Sequence, residues 1–422
     1  MNKLFIVGNG FDLAHGYPTS YENFINWIWI NSIEKPEEFK IFIEYSDHFL
    51  ESIRYYNRTK KNYKSEINCL ENLKNYIVNI YPNIRFKFDY DGDRFADIVL
   101  YEFKNKFFES LSEDKPKAKW SDIEAHFYRK LLSILDGNDK HYKNDIDLLN
   151  NDIEIIKKYF EKYLNENVEY KEVNKEMKFY KLIKYSPKFL NNKNNGEVEK
   201  YLEEFPLSEH KKLHEFDINL IFASENDDKF PNEKVIPNTL FLDFNYTSSV
   251  YKYIKDEMYR NNINEINQMF GKMSIIKIHG SLTNKFNNNP INLGFGDEMD
   301  DNYKKLEKLN DNRFLRYIKS FMYSNNTNYK RLLNWISNND YQVHILGHSC
   351  GLSDRIMLNT IFEHTNCKSI KIHYYAIKDE QGNVIYDDYT DRVQNISRHF
   401  NKKSLMREKI VPKTLCEPLD LL

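Results

Sequence analysis

The sequence predicts an α/β protein: a parallel sheet with helices on both faces, carrying a large, mainly helical insertion. Three observations lead there. An apolar run without alternation, Leu4-Phe5-Ile6-Val7, breaks at Gly8 and Gly10, as a strand buried on both faces does before a tight turn into a helix. Strand-like runs return only after Glu215, most of them separated by helical patterns, and such alternation implies a parallel sheet. Between the two, from about Ser32 to Pro206, long charged segments carry apolar residues at helical spacing. The expected organisation is therefore a core of residues 1–31 and 207–422, with residues 32–206 as the insertion.

Composition narrows the class. The 422 residues suffice for one large or two ordinary domains, and 41% hydrophobic with 29% charged residues fits a soluble globular protein. Lys+Arg 61 against Asp+Glu 63 gives a formal charge of -2, so no global field favours nucleic acid or an anionic membrane. The first residues carry Asn9 and Asp12 and lack the apolar core of a signal peptide, and no window is long and apolar enough to span a bilayer. Cys69, Cys350, Cys367 and Cys416 form no C-x-x-C pair, which argues against a cysteine zinc site and suits a reducing cytosol. The expected location is cytoplasmic, with no metal.

Taken in order, Ser20 to Ile28 reads as a helix capped by Thr19 or Ser20. The insertion reads as helices from spacings such as Phe95, Ile98, Val99, Phe103, Phe107 and Ile146, Leu149, Ile153, Ile156, Phe160, interrupted by an exposed loop at Asn191 to Gly196. Asp122 and His126 share one helix face, where capping and surface pairing account for them better than a metal does. Strands are expected at Ile218–Phe222, Thr239–Phe244, Ile275–Ile278, Tyr341–Leu346 and Ile370–Tyr375. Helices are expected at Ser249–Met258, Arg313–Tyr323 and Asp354–His364.

Glycine points to the site. Of only 13 glycines, eight fall in four short stretches: Gly8, Gly10 and Gly16; Gly280; Gly294 and Gly296; Gly347 and Gly351. Glycine at such places lets backbone turn sharply or approach something closely. Four strand-like runs also end in polar stretches: Gly8-Asn9-Gly10-Phe11-Asp12, Asn245-Tyr246-Thr247, His279-Gly280-Ser281 and Gly347-His348-Ser349. In a parallel sheet all four converge on one edge, where a nucleotide would bind. The first turn fits either a phosphate cradle at a helix N-terminus or a ligand-free βα turn.

These residues resemble a family. Gly8-Asn9-Gly10-Phe11-Asp12-Leu13-Ala14-His15-Gly16-Tyr17-Pro18, Trp120-Ser121-Asp122-Ile123-Glu124, Phe244-Asn245-Tyr246-Thr247 and Gly347-His348-Ser349 look like the AbiH family of bacteriophage abortive-infection proteins. The same pieces resemble a diverged sirtuin-type, Rossmann-like NAD-binding core over about a third of the chain. The resemblance implies that Gly8, Asn9, Gly10, Phe11, Asp12, Gly16 and Pro18 lie along the dinucleotide, with Gly280, Ser281, Gly347, His348 and Ser349 closing on it. It implies His279 as the catalytic histidine and Asn245 as its companion. The zinc cysteine pairs of sirtuins are missing, which puts a deacylase in doubt, and Asp12 stands where sirtuins have serine.

The chemistry that follows is cleavage of the nicotinamide–ribose bond, with NAD as substrate. A histidine can take the proton of the attacking water or hydroxyl, and an amide can hold that nucleophile. The expected function is an NAD glycohydrolase of phage defence, gated or oligomerised through its insertion and working as a homo-oligomer or with a partner defence protein. Two alternatives stand beside it. One is a non-catalytic nucleotide-sensing module. The other is a serine hydrolase, because Gly347-His348-Ser349-Cys350-Gly351 fits G-x-S-x-G, with Asp388 and His399 following in order.

Overall fold

The computed structural model describes residues 1–59, 69–80, 87–89, 92–95, 98–113, 120–142, 145–173, 182, 195–215, 237–260, 272–282 and 289–419. The chain divides into two compact units, one formed by Met1–Pro18, Asn167–Tyr303 and Tyr317–Leu422, the other by Thr19–Glu166 and Lys304–Arg316.

The first unit is built on a five-stranded sheet, parallel throughout. Its strands are β1 (Asn2–Val7), β2 (Thr239–Asp243), β3 (Met273–Lys277), β4 (Tyr341–Leu346) and β5 (Cys367–His373), in the spatial order β3-β2-β1-β4-β5. Helix α1 (Asn9–Ala14) follows β1, α2 (Ser249–Arg260) follows β2, α3 (Asn328–Asn338) leads into β4, and α4 (Arg355–Phe362) joins β4 to β5. The apolar run that opens the chain takes the central place, with Leu4, Phe5, Ile6 and Val7 all fully buried.

Strand periodicity then sorts its side chains. Leu4 and Ile6 join Leu240, Leu242, Val343, Ile345, Ile370 and Ile372 in one core, closed by Leu332 and Ile336 of α3 and by Met357, Leu358, Ile361 and Phe362 of α4. Each such aliphatic side chain contributes about 1.5–3 kcal/mol by leaving water. On the opposite face Phe5 stacks on Phe241 and His344, with ring centroids 5.2 and 4.7 Å apart. Further out that face turns polar: Gln342 Nε2 donates to Ser369 Oγ and Glu204 Oε2, each at 2.9 Å, and Lys371 Nζ reaches Glu204 at 2.6 Å. His344 and His373 face each other at 3.1 Å between ring nitrogens, and burial holds both well below the usual histidine range.

Four of the five expected strands are present, displaced by at most three residues at either end. Ile218–Phe222 and Asn191–Asn194 lie outside the described residues. Asn195 and Gly196, expected in a loop, instead open the helix Asn195–Leu202. The helix expected at Arg313–Tyr323 does not form as one element. A 3-10 turn, Asn312–Leu315, is capped by Asp311, which accepts from Arg313 N–H at 3.0 Å. Ile318 is then extended, and Phe295 brackets it, donating to Tyr317 O at 3.1 Å and accepting from Lys319 N–H at 2.9 Å. The apolar spacing there does not mark a single helix, because the chain passes from one unit to the other at Tyr317.

In the second unit Ser20 is the cap of the helix Tyr21–Glu34, its Oγ accepting from Asn23 N–H at 3.1 Å. Ile146, Leu149, Ile153, Ile156 and Phe160 are all buried along one helix, Ile146–Asn167. The spacing that began at Phe95 is not helical, however. Gly92–Phe95, Ile98–Val99 and Tyr101–Phe103 are strands, the last antiparallel to Ile43–Tyr45, and only Lys106–Glu113 continues as helix. Tyr101 and Phe103, alternating with Glu102, fit a pleated surface better than a helix face.

Candidate functional site at the carboxyl edge of the sheet

All the polar stretches named above follow core strands, and the register brings Val7 level with Asp243 and Asp243 level with Lys277. Lys277 is buried, and its Nζ donates to Asp243 Oδ2 at 2.8 Å, to Asn245 O at 2.6 Å and to Thr247 O. Asp243 Oδ1 accepts from Asn245 N–H at 2.9 Å. Burial raises the Asp243 carboxyl above its ordinary range, and the Lys277 ammonium opposes that rise.

Asp12 fastens the same loop from the other side. Its carboxyl accepts from Thr247 Oγ1 at 2.6 Å, Ser249 Oγ at 2.5 Å and Asn245 Nδ2 at 3.1 Å. Burial pushes Asp12 up to about 7, although the two hydroxyl donors pull it down. Asp12 therefore neither caps α1 nor turns outward to a ribose. Asn245 Nδ2 is shared between Asp12 and Gly8 O, the latter at 3.2 Å, so of its side-chain amide only Oδ1 is left for a ligand.

The first turn closes on the turn after β4. Gly8 N–H donates to Leu346 O at 3.0 Å and Gly10 N–H to Gly347 O at 2.9 Å. A Cβ at Gly8 would lie 2.6 Å from His348 Cα, and one at Gly10 would lie 2.7 Å from Gly347 Cα. The glycines thus permit close approach of backbone to backbone, and the Gly8 and Gly10 N–H groups are occupied by carbonyls. Phe11 is buried against His15, with centroids 4.6 Å apart, and burial lowers His15 to about 4. Gly16 takes a left-handed φ of 75° two residues before Pro18, and Gly280 does so at 97°. Ser281 N–H donates to Asn289 O at 2.9 Å.

A second cluster gathers on His279. Its Nε2 is 2.9 Å from Asp354 Oδ1, and the same oxygen is 3.0 Å from Lys319 Nζ. His348 Nε2 lies 3.7 Å from the other oxygen, Oδ2, and Tyr323 Oη is 3.5 Å from His279 Nε2. Phe244 packs against both histidine rings, at 4.8 Å from His279 and 4.2 Å from His348. All of these groups are buried. Burial lowers His348 to about 3, so it is neutral, and its Nδ1 accepts from Cys350 N–H at 3.0 Å. Burial alone would raise Asp354, but the Lys319 ammonium and the hydrogen bond from His279 hold it well below the usual carboxylate range.

Asp354 and Lys319 were not singled out in the sequence. Asp354 reads there as the first residue of the helix expected at Asp354–His364; it stands at the N-terminal cap position of α4, and its side chain makes no capping bond. Lys319 sits among Ile318, Phe321 and Met322, and a lysine in such apolar company was the available sign of a buried cation.

The hydrolase constellation does not assemble. His399 Nε2 lies 2.8 Å from Cys350 O, and burial lowers this histidine to about 4. Asp388 accepts from Arg392 Nε and from Tyr375 N–H, both at 2.8 Å. Ser349 accepts at its carbonyl from Asn395 Nδ2 at 2.9 Å. In the second unit His126 Nε2 and Ser110 Oγ are 2.9 Å apart, and the Asp122 side chain lies outside the described residues. No helix among the described residues is long and apolar enough to cross a membrane.

Fold and site together define an α/β protein that carries a buried acid, histidine and lysine cluster at the carboxyl edge of a parallel sheet. The chain belongs to the bacteriophage abortive infection AbiH family, whose model matches residues 4–376. It is accordingly a phage abortive-infection defence protein. No curated protein matches it at a significant level.

Proposed function

We propose that the protein binds NAD and hydrolyses its nicotinamide–ribose bond on a Rossmann-type, sirtuin-like core, with His279 as general base. The observation that carries this reading is the 2.9 Å contact between His279 Nε2 and Asp354 on a sheet ordered 3-2-1-4-5. That order is the dinucleotide-binding one, and ligands of such sheets sit beyond the strand ends where the order reverses, here between β1 and β4. Asp354 accepts the Nε2 proton, which fixes the tautomer and leaves Nδ1 to take a proton from water. The water oxygen bonds to the ribose C1′, the C1′–N bond breaks, and its electron pair leaves with nicotinamide. Asn245 positions the loop and offers Oδ1 to a ribose hydroxyl. No metal takes part.

Seating the phosphates requires the turns after β1 and β4 to part, which suits a cytoplasmic enzyme held off until infection and released by its own oligomerisation or by a partner defence protein. Purified protein, alone and in infected-cell extract, is incubated with NAD while nicotinamide and ADP-ribose are followed. Release by the wild type, reduced roughly 100-fold or more in His279→Ala and Asp354→Asn, supports the reading. No release in either setting overturns it.

A further inference from the structure

Beside His279 lies a small cleft lined by Ile278, Asn289, Pro290, Asn292, Tyr323 and Asn326 among others, with about 10 Å³ open to the centre of a water molecule. That is room for about one water, which needs two or more polar partners to stay. Most of the lining amides are engaged. Asn289 Nδ2 donates to Lys277 O at 2.7 Å, its Oδ1 accepts from Asn326 Nδ2 at 2.6 Å, and Asn326 Oδ1 accepts from Asn328 N–H at 2.9 Å. Asn292 differs. It is 4% exposed, and its Oδ1 is buried with no hydrogen-bond partner. Its backbone is nevertheless fixed, with N–H donating to His279 O at 2.8 Å and O accepting from Tyr246 Oη at 3.3 Å. A buried acceptor without a donor costs about 1–3 kcal/mol, and one water would remove that cost.

We propose that this cleft holds one ordered water, fixed by Asn292 Oδ1 and the Tyr323 hydroxyl, and that it is the water consumed at His279. The second half rests on the NAD-hydrolysing reading above. In that step the water oxygen forms the new bond to C1′, nicotinamide leaves with the electron pair of the broken bond, and His279 receives the proton. Tyr323 joins cleft and site, since it lines the one and lies 3.5 Å from His279 Nε2 in the other.

The test compares the full-length wild type with Asn292→Leu, which deletes the acceptor, and Asn292→Asp, which keeps it. High-resolution crystal structures of the three report the water. NAD turnover in dilute methanol reports the nucleophile through the ratio of methyl ADP-riboside to ADP-ribose. The expected result is a water within hydrogen-bond reach of residue 292 in the wild type and Asn292→Asp, and none in Asn292→Leu. Asn292→Leu should also lose about 10-fold or more in turnover relative to Asn292→Asp. Its methanol product share should rise to the bulk solvent ratio, a change that a merely structural residue would not produce. A wild type without that water overturns the site. An unchanged product ratio in Asn292→Leu overturns the water's role. A wild type that shows the water but releases no nicotinamide overturns the hydrolytic reading and the role together, and leaves the water site standing.

Discussion

Lys319, which has no exposed surface, holds its Nζ 3.0 Å from Oδ1 of Asp354. The carboxylate is thereby charge-balanced before either histidine is protonated, so the cluster stays buried without carrying a net charge. Lys319→Met should destabilise the protein by about 3–5 kcal/mol, because it leaves a buried carboxylate unbalanced. Adding Asp354→Asn should recover part of that loss, and thermal unfolding of the two single variants and the double variant measures the coupling. Losses that simply add would show the pair to be uncoupled.

Asp12 makes stability depend on pH in a direction unusual for a carboxylate. Its folded value is about 7, against about 3.9 in an unfolded chain. Between those values the folded state keeps a proton that the unfolded state releases, so this contribution is complete below pH ~4 and is lost as pH rises through 7. The span corresponds to about 4 kcal/mol at most. Asp12→Asn should flatten the fall in urea midpoint between pH 5 and pH 8. An unaltered slope would place the titration elsewhere.

The contact between the turns after β1 and β4 leaves no room for side chains. A Cβ on Gly347, at φ 65°, would lie 2.3 Å from Phe11 N, whereas one on Gly382, at φ 85°, would meet nothing within 4 Å. Gly382→Ala should cost about 1–2 kcal/mol from backbone strain alone. Gly347→Ala should cost clearly more, and chemical denaturation of the two side by side separates clash from strain.

Ser349 should not react as a nucleophile. His399 is directed to Cys350 O, and Asp388 is held by Arg392, so nothing among the described contacts deprotonates the hydroxyl. Incubation with a fluorophosphonate and intact-mass analysis should show no adduct. A stoichiometric adduct lost in Ser349→Ala would reinstate the triad.

The sheet was legible because burial on both faces leaves a plain mark: Leu4 to Val7 and Tyr341 to Leu346 are apolar or aromatic nearly throughout, and each ends in glycine. The order of the strands was not, since no local pattern says that β1 sits between β2 and β4. At the site, the strand ends carrying His279, Asn245 and His348 were visible as polar breaks after apolar runs. What those groups touch was not. Asn245 and Asp12 are 233 residues apart yet share a hydrogen bond, and the partners of His279 come from segments read as ordinary helix. Phe103 misled because short apolar runs fit either period, and the pairing of Tyr101–Phe103 with Ile43–Tyr45 decided the matter.

The central position of β1 also bears on how the chain is made. Its neighbours on the two sides end at Asp243 and Leu346, so Leu4 to Val7 are synthesised long before either partner strand exists. At roughly 5–20 residues per second, the ribosome needs on the order of 20–70 s to carry synthesis from this strand through β4. Until β2 is made the most apolar stretch of the sheet has no partner strand at all, and a chaperone able to bind short extended apolar segments would find a target there.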